Sequence, residues 1–147
     1  PIKPGQWEVM AELCEKSPIP IALDEELIGY TGTAQKAAAL DVIKPSYIIL
    51  KPSLCGGFAE ADSWIAMAEE RNIRWWATSA LESNIGLNAI AQWVSTYDTQ
   101  MPQGLGTGQL YKRNFSTQLK LEGDKMFCID RNIDSMSLWE ETNRMLI

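Results

Sequence analysis

Histidine is absent from the 147 residues. That removes the commonest general base near neutral pH, the Ser-His-Asp and Cys-His arrangements, and every zinc site that needs imidazole. Cysteine is scarce: Cys14, Cys55 and Cys128 are far apart, odd in number and form no CxxC pair. A disulfide framework is therefore not expected, and a reducing cytoplasm is the expected setting. Positive charge is outweighed, with 13 Lys and Arg against 19 Asp and Glu and a net charge of −6. Without clustered cations to release counterions from a polyphosphate, nucleic acid is not an expected partner. No apolar run reaches the roughly 18–20 residues that cross a bilayer, and no basic stretch followed by an apolar one opens the chain, so neither membrane insertion nor a signal peptide is expected. Chemistry falls to Asp, Glu, Lys, Ser, Tyr or backbone amides. The opening Pro1-Ile2-Lys3-Pro4-Gly5, without an initiator methionine, predicts an excerpt from something longer.

What is present is periodic. Apolar runs of strand length occur at residues 19–23, 47–50 and 73–77. They do not alternate with polar residues, which predicts strands buried on both faces, as in parallel sheets. Helical patterns lie around them: residues 6–16 put Trp7, Met10, Ala11 and Cys14 on one face, and residues 58–71 put Ala61, Trp64, Ile65 and Ala68 on another. Residues 33–40 are alanine-rich, and residues 84–94 carry Ile85, Leu87, Ala89, Ile90 and Trp93. Asp24, Lys51 and Thr78 each follow a strand at a constant interval of 27 residues, and one more step reaches Leu105. The pattern reads α-βα-βα-βα-β, an α/β fold with parallel crossovers. Four such strands fit a small doubly wound sheet or half of a (β/α)₈ barrel, which typically needs about 250 residues. After Thr107 the period stops. Residues 118–121 and 126–129 flank Glu122-Gly123-Asp124 as a β-hairpin, and residues 134–146 read as a short terminal helix. Residues 1–110 thus separate from an extension at 111–147.

In both parallel architectures ligands sit at the carboxyl ends of the strands. The residues there are Asp24-Glu25-Glu26, Lys51-Pro52-Ser53, residues 78–83, and Gly104-Leu105-Gly106-Thr107-Gly108. The acidic triplet fits a solvated charge run and also a hard divalent cation such as Mg²⁺. Strand alternation predicts that Asp24 and Glu26 point one way and Glu25 the other. Lys51 fits a snorkelling side chain whose stem packs, and also a cation that transfers a proton or holds developing negative charge. The glycine run lacks GxGxxG spacing and a P-loop ending, leaving a turn with positive φ or backbone amides brought close to an anion. Glu82-Ser83 before Asn84-Ile85-Gly86 predicts a helix start with Ser83 as N-cap, at an N-terminus that attracts carboxylates.

Three segments carry a resemblance: Ile-Ala-Leu-Asp-Glu-Glu at 21–26, Ile-Leu-Lys-Pro-Ser-Leu at 49–54 with Gly56-Gly57, and Thr-Ser-Ala-Leu-Glu-Ser-Asn-Ile-Gly-Leu at 78–87. Together they resemble the C-terminal barrel half of the enolase superfamily, in its muconate lactonizing enzyme-like subgroup, and more closely the o-succinylbenzoate synthase family. The resemblance covers nearly all of residues 1–110. It implies the C-terminal half of a (β/α)₈ TIM-type barrel, about four βα units, followed by a hairpin and helix tail. It implies a Mg²⁺-dependent lyase that eliminates water from 2-succinyl-6-hydroxy-2,4-cyclohexadiene-1-carboxylate, giving o-succinylbenzoate in menaquinone biosynthesis.

By motif, Asp24 matches the metal ligand after the fifth barrel strand, with Glu25 beside it in support. Lys51 matches the lysine after the sixth, which faces the ring opposite the proton-abstracting lysine and stabilises the intermediate, partly as a cation against a π system. Ser79, Ala80, Leu81, Glu82 and Ser83, with Gly104, Leu105, Gly106 and Thr107, match loops that hold the succinyl end. The family's other two metal ligands, its Lys-x-Lys base and its capping domain have no counterpart here. Pro1-Ile2 resembles the loop just beyond the fourth-strand glutamate. The implied partner is a missing N-terminal half with the cap and the first four strands; the chain alone is expected to be inactive and to self-associate through unpaired strand edges. Two other readings stay open. Glu82-Ser83-x-Ile85-Gly86 is shared with N-acylamino acid racemases and muconate cycloisomerases, and a non-catalytic α/β module could bind a carboxylate through the glycine loop.

Overall fold

Strand and helix alternate from the first turn onward in the computed structural model, which describes residues 2–129. The elements are α1 (Trp7–Lys16), β1 (Ala22–Leu23), α2 (Thr33–Ile43), β2 (Tyr47–Leu50), α3 (Phe58–Glu69), β3 (Arg74–Ala77), α4 (Asn84–Val94), β4 (Leu119–Glu122) and β5 (Lys125–Cys128). Two 3₁₀ turns, Glu25–Leu27 and Gly106–Gln109, interrupt the loops. The terminal helix expected over residues 134–146 lies outside the described residues.

The chain divides into two units, residues 1–80 with 99–103 and residues 81–98 with 104–147. In the first, β1, β2 and β3 form a parallel sheet in chain order, with Ala22 opposite Tyr47, Tyr47 opposite Arg74 and Leu50 opposite Ala77. Parallel neighbours need a crossover, and α2 and α3 supply one each. Helix α3 turns Ala61, Trp64, Ile65 and Ala68 inward at helical spacing. With Leu23, Leu40, Ile43, Ile48 and Leu50 they seal a core, each fully buried Leu or Ile contributing roughly 1.5–3 kcal/mol. Lys36 of α2 is also fully buried, its charge met by the Glu60 carboxylate and by the Trp64 ring 5.3 Å away.

Three sequence expectations change here. The sheet is not buried equally on both faces: Ile48, Leu50, Trp75 and Ala77 are buried, while Tyr47, Ile49 and Trp76 on the other face are half-buried. On that face the Arg74 guanidinium lies 4.4 Å over the Tyr47 ring. The first strand shrinks from 19–23 to Ala22–Leu23, because Pro20 has no N–H to give a ladder and Ile19 stays 67% exposed. At the fourth strand position the described residues hold only a bridge residue, Gly104, before the second 3₁₀ turn. Pro102, Gly104 and Gly106 are poor strand formers.

In the second unit α4 buries Leu87, Ile90 and Val94, and β4 pairs antiparallel with β5, Glu122 opposite Lys125. Gly123 (φ 62°) provides the left-handed position of the two-residue hairpin turn expected there. The three cysteines are unpaired thiols. Among the described residues no helix is long and apolar enough to cross a membrane.

Candidate active site at the strand ends

Because β1 and β2 are parallel neighbours, the residues that follow them emerge side by side. Asp24 follows β1 and Lys51 follows β2, and Lys51 Nζ lies 2.7 Å from Asp24 Oδ2 and 3.6 Å from Glu25 Oε1. The pairing is a consequence of register: Leu23 sits opposite Ile48, and Lys51 projects from the same face as Tyr47 and Ile49. Partial burial works against the ammonium, but the hydrogen bond and negative charge of Asp24, with Glu25 adding to both, outweigh it and hold the Lys51 pKa above the ordinary lysine value. Lys51 is therefore held as a cation at neutral pH.

The turn after Lys51 is tightly held. The Lys51 carbonyl accepts the N–H groups of Leu54 (2.8 Å) and Cys55 (3.0 Å), and Gly57 N–H donates to the Pro52 carbonyl at 2.8 Å. Gly56 and Gly57 take φ of 102° and 95°, and a Cβ on Gly56 would stand 2.8 Å from Glu60 Cγ. These two glycines are there for conformation and space. A small cleft lined by Asp24, Leu27, Ile28, Ile49, Lys51, Leu54 and Cys55 surrounds the ion pair with apolar groups. Leu54 closes the 49–54 segment, and Ile28 follows the end of β1 by only a few residues.

The acidic triplet departs from strand alternation. The strand stops at Leu23 and the chain enters the 3₁₀ turn Glu25–Leu27, so Glu25 is exposed near Lys51 while Glu26 is only 5% exposed. Glu26 accepts three neutral donors: Gly5 N–H at 2.9 Å, Trp7 Nε1–H at 2.9 Å and the Tyr30 hydroxyl at 3.0 Å. Tyr30 stacks on Trp7, and its pKa is pushed up to about 12 by burial, then by the hydrogen bond and charge of Glu26, against a smaller lowering from the Trp7 bond. Spacing gave no hint of this assembly, because its donors come from a separate segment and from beyond the turn.

A Mg²⁺ ion takes six oxygens in near-octahedral order, usually one or two carboxylates with waters. Among the described residues no group of three His, Cys, Asp or Glu side chains gathers as a metal site. Asp24 is paired with Lys51, and the oxygens of Glu26 are occupied by neutral donors. The described residues by themselves do not fit Mg²⁺.

The remaining expected site residues fall in both units. Ser79 is buried and Ala80 half-buried in the first unit. In the second, Leu81 is exposed at φ 66° and its carbonyl accepts the Tyr111 hydroxyl. Glu82 is half-buried and packs where a Cβ on Gly86 would stand. Ser83 takes the N-cap position of α4, as expected, but its hydroxyl makes no capping bond. Instead Asn114 Oδ1 accepts the Asn84 N–H at 2.8 Å. The glycine run is not a positive-φ turn: Gly106 and Gly108 belong to a 3₁₀ turn outside the left-handed region. Gly108 is needed for space, since a Cβ there would lie 2.8 Å from Asn84 Oδ1 and 2.9 Å from Leu87 Cδ2. Leu105 is buried and Thr107 half-buried.

The chain is 60% identical over 123 residues to the o-succinylbenzoate synthase of Desulfotalea psychrophila, an alignment covering 84% of this chain and 33% of that protein. The crystal structure of MenC from Desulfotalea psychrophila superposes with a TM-score of 0.82 at 58% identity, over 86% of this chain and 35% of that one. The chain spans about a third of the length of these relatives. The L-Ala-D/L-Glu epimerase of Bacillus subtilis, at 19% identity and a TM-score of 0.76 over 87% of this chain and 35% of its own, shares the fold. The profile of the enolase C-terminal domain-like family matches residues 1–126, and the chain belongs to that family.

Proposed function

We propose that the chain is the C-terminal barrel half of an o-succinylbenzoate synthase, a carbon–oxygen lyase that dehydrates 2-succinyl-6-hydroxy-2,4-cyclohexadiene-1-carboxylate in menaquinone biosynthesis in the cytoplasm. Residues 1–110 are the barrel half and residues 111–147 an extension. The observation that carries this reading is the Lys51–Asp24 pair at adjacent strand ends, inside an apolar rim, taken with 60% identity to a synthase of that name.

In the reaction a C–H bond next to the carboxylate breaks, its proton passing to the base and its electron pair entering the ring; the C–O bond to the hydroxyl then breaks, the departing oxygen takes up a proton to leave as water, and the ring becomes aromatic. Negative charge builds on the carboxylate end between these events. Lys51, charged at neutral pH, is suited to meet that charge and the π face of the ring, and unsuited to take the proton. The rim of Leu27, Ile28 and Leu54 suits an apolar ring. Asp24, with Glu25 beside it, is the carboxylate of this chain that would hold Mg²⁺ together with ligands assigned to the N-terminal half, where the cation would supply positive charge to the substrate carboxylate; the base is assigned to that half as well. Ser79, Ala80, Leu81, Glu82, Ser83, Gly104, Leu105, Gly106 and Thr107 are assigned to the succinyl chain.

The test is substrate profiling of the full-length enzyme that contains this chain. Conversion of the cyclohexadiene to o-succinylbenzoate is expected. Racemisation of N-acyl amino acids, or cycloisomerisation of muconate, without that dehydration would replace the assigned reaction.

A further inference from the structure

We propose that Asn114, which lies outside every segment assigned to the site, is a positioning residue that ties together, within the second unit, the chain just after Ser83 and the chain just after Thr107, the ends of the two segments assigned to the succinyl chain. Its Oδ1 accepts the N–H of Asn84 at 2.8 Å and of Phe115 at 2.9 Å, and its Nδ2 donates to the Gly108 carbonyl at 3.2 Å. Asn84 directly follows Ser83, and Gly108 directly follows Thr107. One side chain thus bonds the residue next to each loop, its carboxamide accepting an N–H through oxygen while donating to a C=O through nitrogen.

The surroundings are built for this contact. Ser83 provides no capping bond, so the N–H at the start of α4 relies on Asn114. Asn84 returns the interaction by donating its side-chain amide to the Phe115 carbonyl. Tyr111, three residues earlier, holds the carbonyl of Leu81, which sits in the left-handed region. Gly108 has no Cβ where one would collide with Asn84. A loop pair fixed in advance spares the substrate the cost of ordering it, so Asn114 acts on affinity for the succinyl chain and not on the bond-breaking step. This assignment rests on the proposed dehydratase reading for what the loops hold.

Steady-state kinetics of Asn114→Ala and Asn114→Asp in the full-length enzyme test it. Loss of binding common to ground and transition states raises KM, here by about 10-fold for Asn114→Ala, with kcat within about twofold. Asn114→Asp is nearly isosteric; it keeps an acceptor for Asn84 but turns a carboxylate on the Gly108 carbonyl, so KM rises as well. Inhibition by benzoate, which carries the ring carboxylate without the succinyl chain, stays unchanged. Unchanged KM in both variants, or a fall in kcat alone, overturns the proposal. If the wild-type enzyme fails to dehydrate the diene, the assigned reaction is wrong. Amide exchange at Asn84 in the full-length protein then decides whether Asn114 holds the loops: faster exchange in Asn114→Ala supports it, and an unchanged rate overturns it.

Discussion

Asp24 and Glu26 are two residues apart and occupy unlike regions. Asp24 ends a strand, keeps over a quarter of its side chain exposed and faces one cation, Lys51. Glu26 is buried and faces no cation among its hydrogen-bond partners, only the neutral donors of Gly5, Trp7 and Tyr30. The first arrangement leaves carboxylate lone pairs and an ammonium available for chemistry. The second uses its lone pairs to tie the segment before α1 to the turn after β1. Acidity is common to both; function follows from what the oxygens have left to bind.

The largest effects belong to the Asp24–Lys51 side. The 147-residue chain assayed alone should give no dehydratase turnover, since the described residues lack a metal site and the base is assigned to the N-terminal half. Mixing with a fragment that supplies that half should restore activity and reduce self-association, followed by product absorbance and gel filtration; turnover by the purified monomer would break the comparison. In the full-length enzyme, Lys51→Ala should lower kcat by about 10²- to 10³-fold, the usual loss when a charge stabilising the transition state is removed. Wild-type turnover would remove Lys51 from the reaction.

Next comes Asp24→Asn. A neutral amide gives a cation less charge, and Mg²⁺ affinity by calorimetry should fall by more than the roughly 10- to 100-fold typical for losing an outer partner of a metal ligand. Stability should change little, because a partly exposed ion pair contributes about 0–1 kcal/mol. Unaltered metal titration would place the ligand elsewhere.

Glu26→Gln should show the reverse pattern, with metal affinity kept and stability lost. The amide retains one acceptor oxygen but turns its NH₂ toward donors that the carboxylate satisfied, at a cost of about 1–3 kcal/mol. The urea midpoint should fall with an unchanged slope. A Glu26→Gln enzyme with wild-type stability and weakened Mg²⁺ binding would merge the two acids into one site.

Much of this layout was legible because it depends on spacing. A 27-residue interval between strand ends fixes which residues emerge together, so Asp24 and Lys51 could be placed at the same end of the sheet before any coordinates, though their ion pair could not. α4, with bounds matching the 84–94 pattern, and the hairpin around Gly123 were also readable from local chemistry. What was not legible depends on where the backbone stops being regular. Alternation assigned Glu26 to the side of Asp24, but a 3₁₀ turn begins one residue too early for that rule. Ser83 sits where an N-cap should, yet the bond comes from Asn114, 30 positions away from Asn84, a distance no local motif records. The Gly108 constraint is likewise tertiary: it answers to Asn84 and Leu87, not to its own φ.

The smallest expected effect is a pH dependence on the Glu26 side. Tyr30 has an ordinary value of 10.0 and is raised to about 12 in the fold by burial and then by Glu26. For an acid whose folded pKa is raised, the unfolded chain loses its proton first, so the folded state binds more protons between the two values and stability falls as pH rises. The contribution is fully present below pH about 10 and declines through about 12. Lysines and other tyrosines titrate in the same range, so the decisive comparison is with Tyr30→Phe, which keeps the ring stacked on Trp7 but has no proton to lose. Urea midpoints taken at intervals from pH 9 to pH 12 should fall more steeply for wild type than for Tyr30→Phe, and the two curves should run parallel below pH 9. Parallel curves across the whole range would mean that the phenol is not held neutral by Glu26, and the distinction between an acid spent on neutral donors and one kept for a cation would lose its clearest thermodynamic mark.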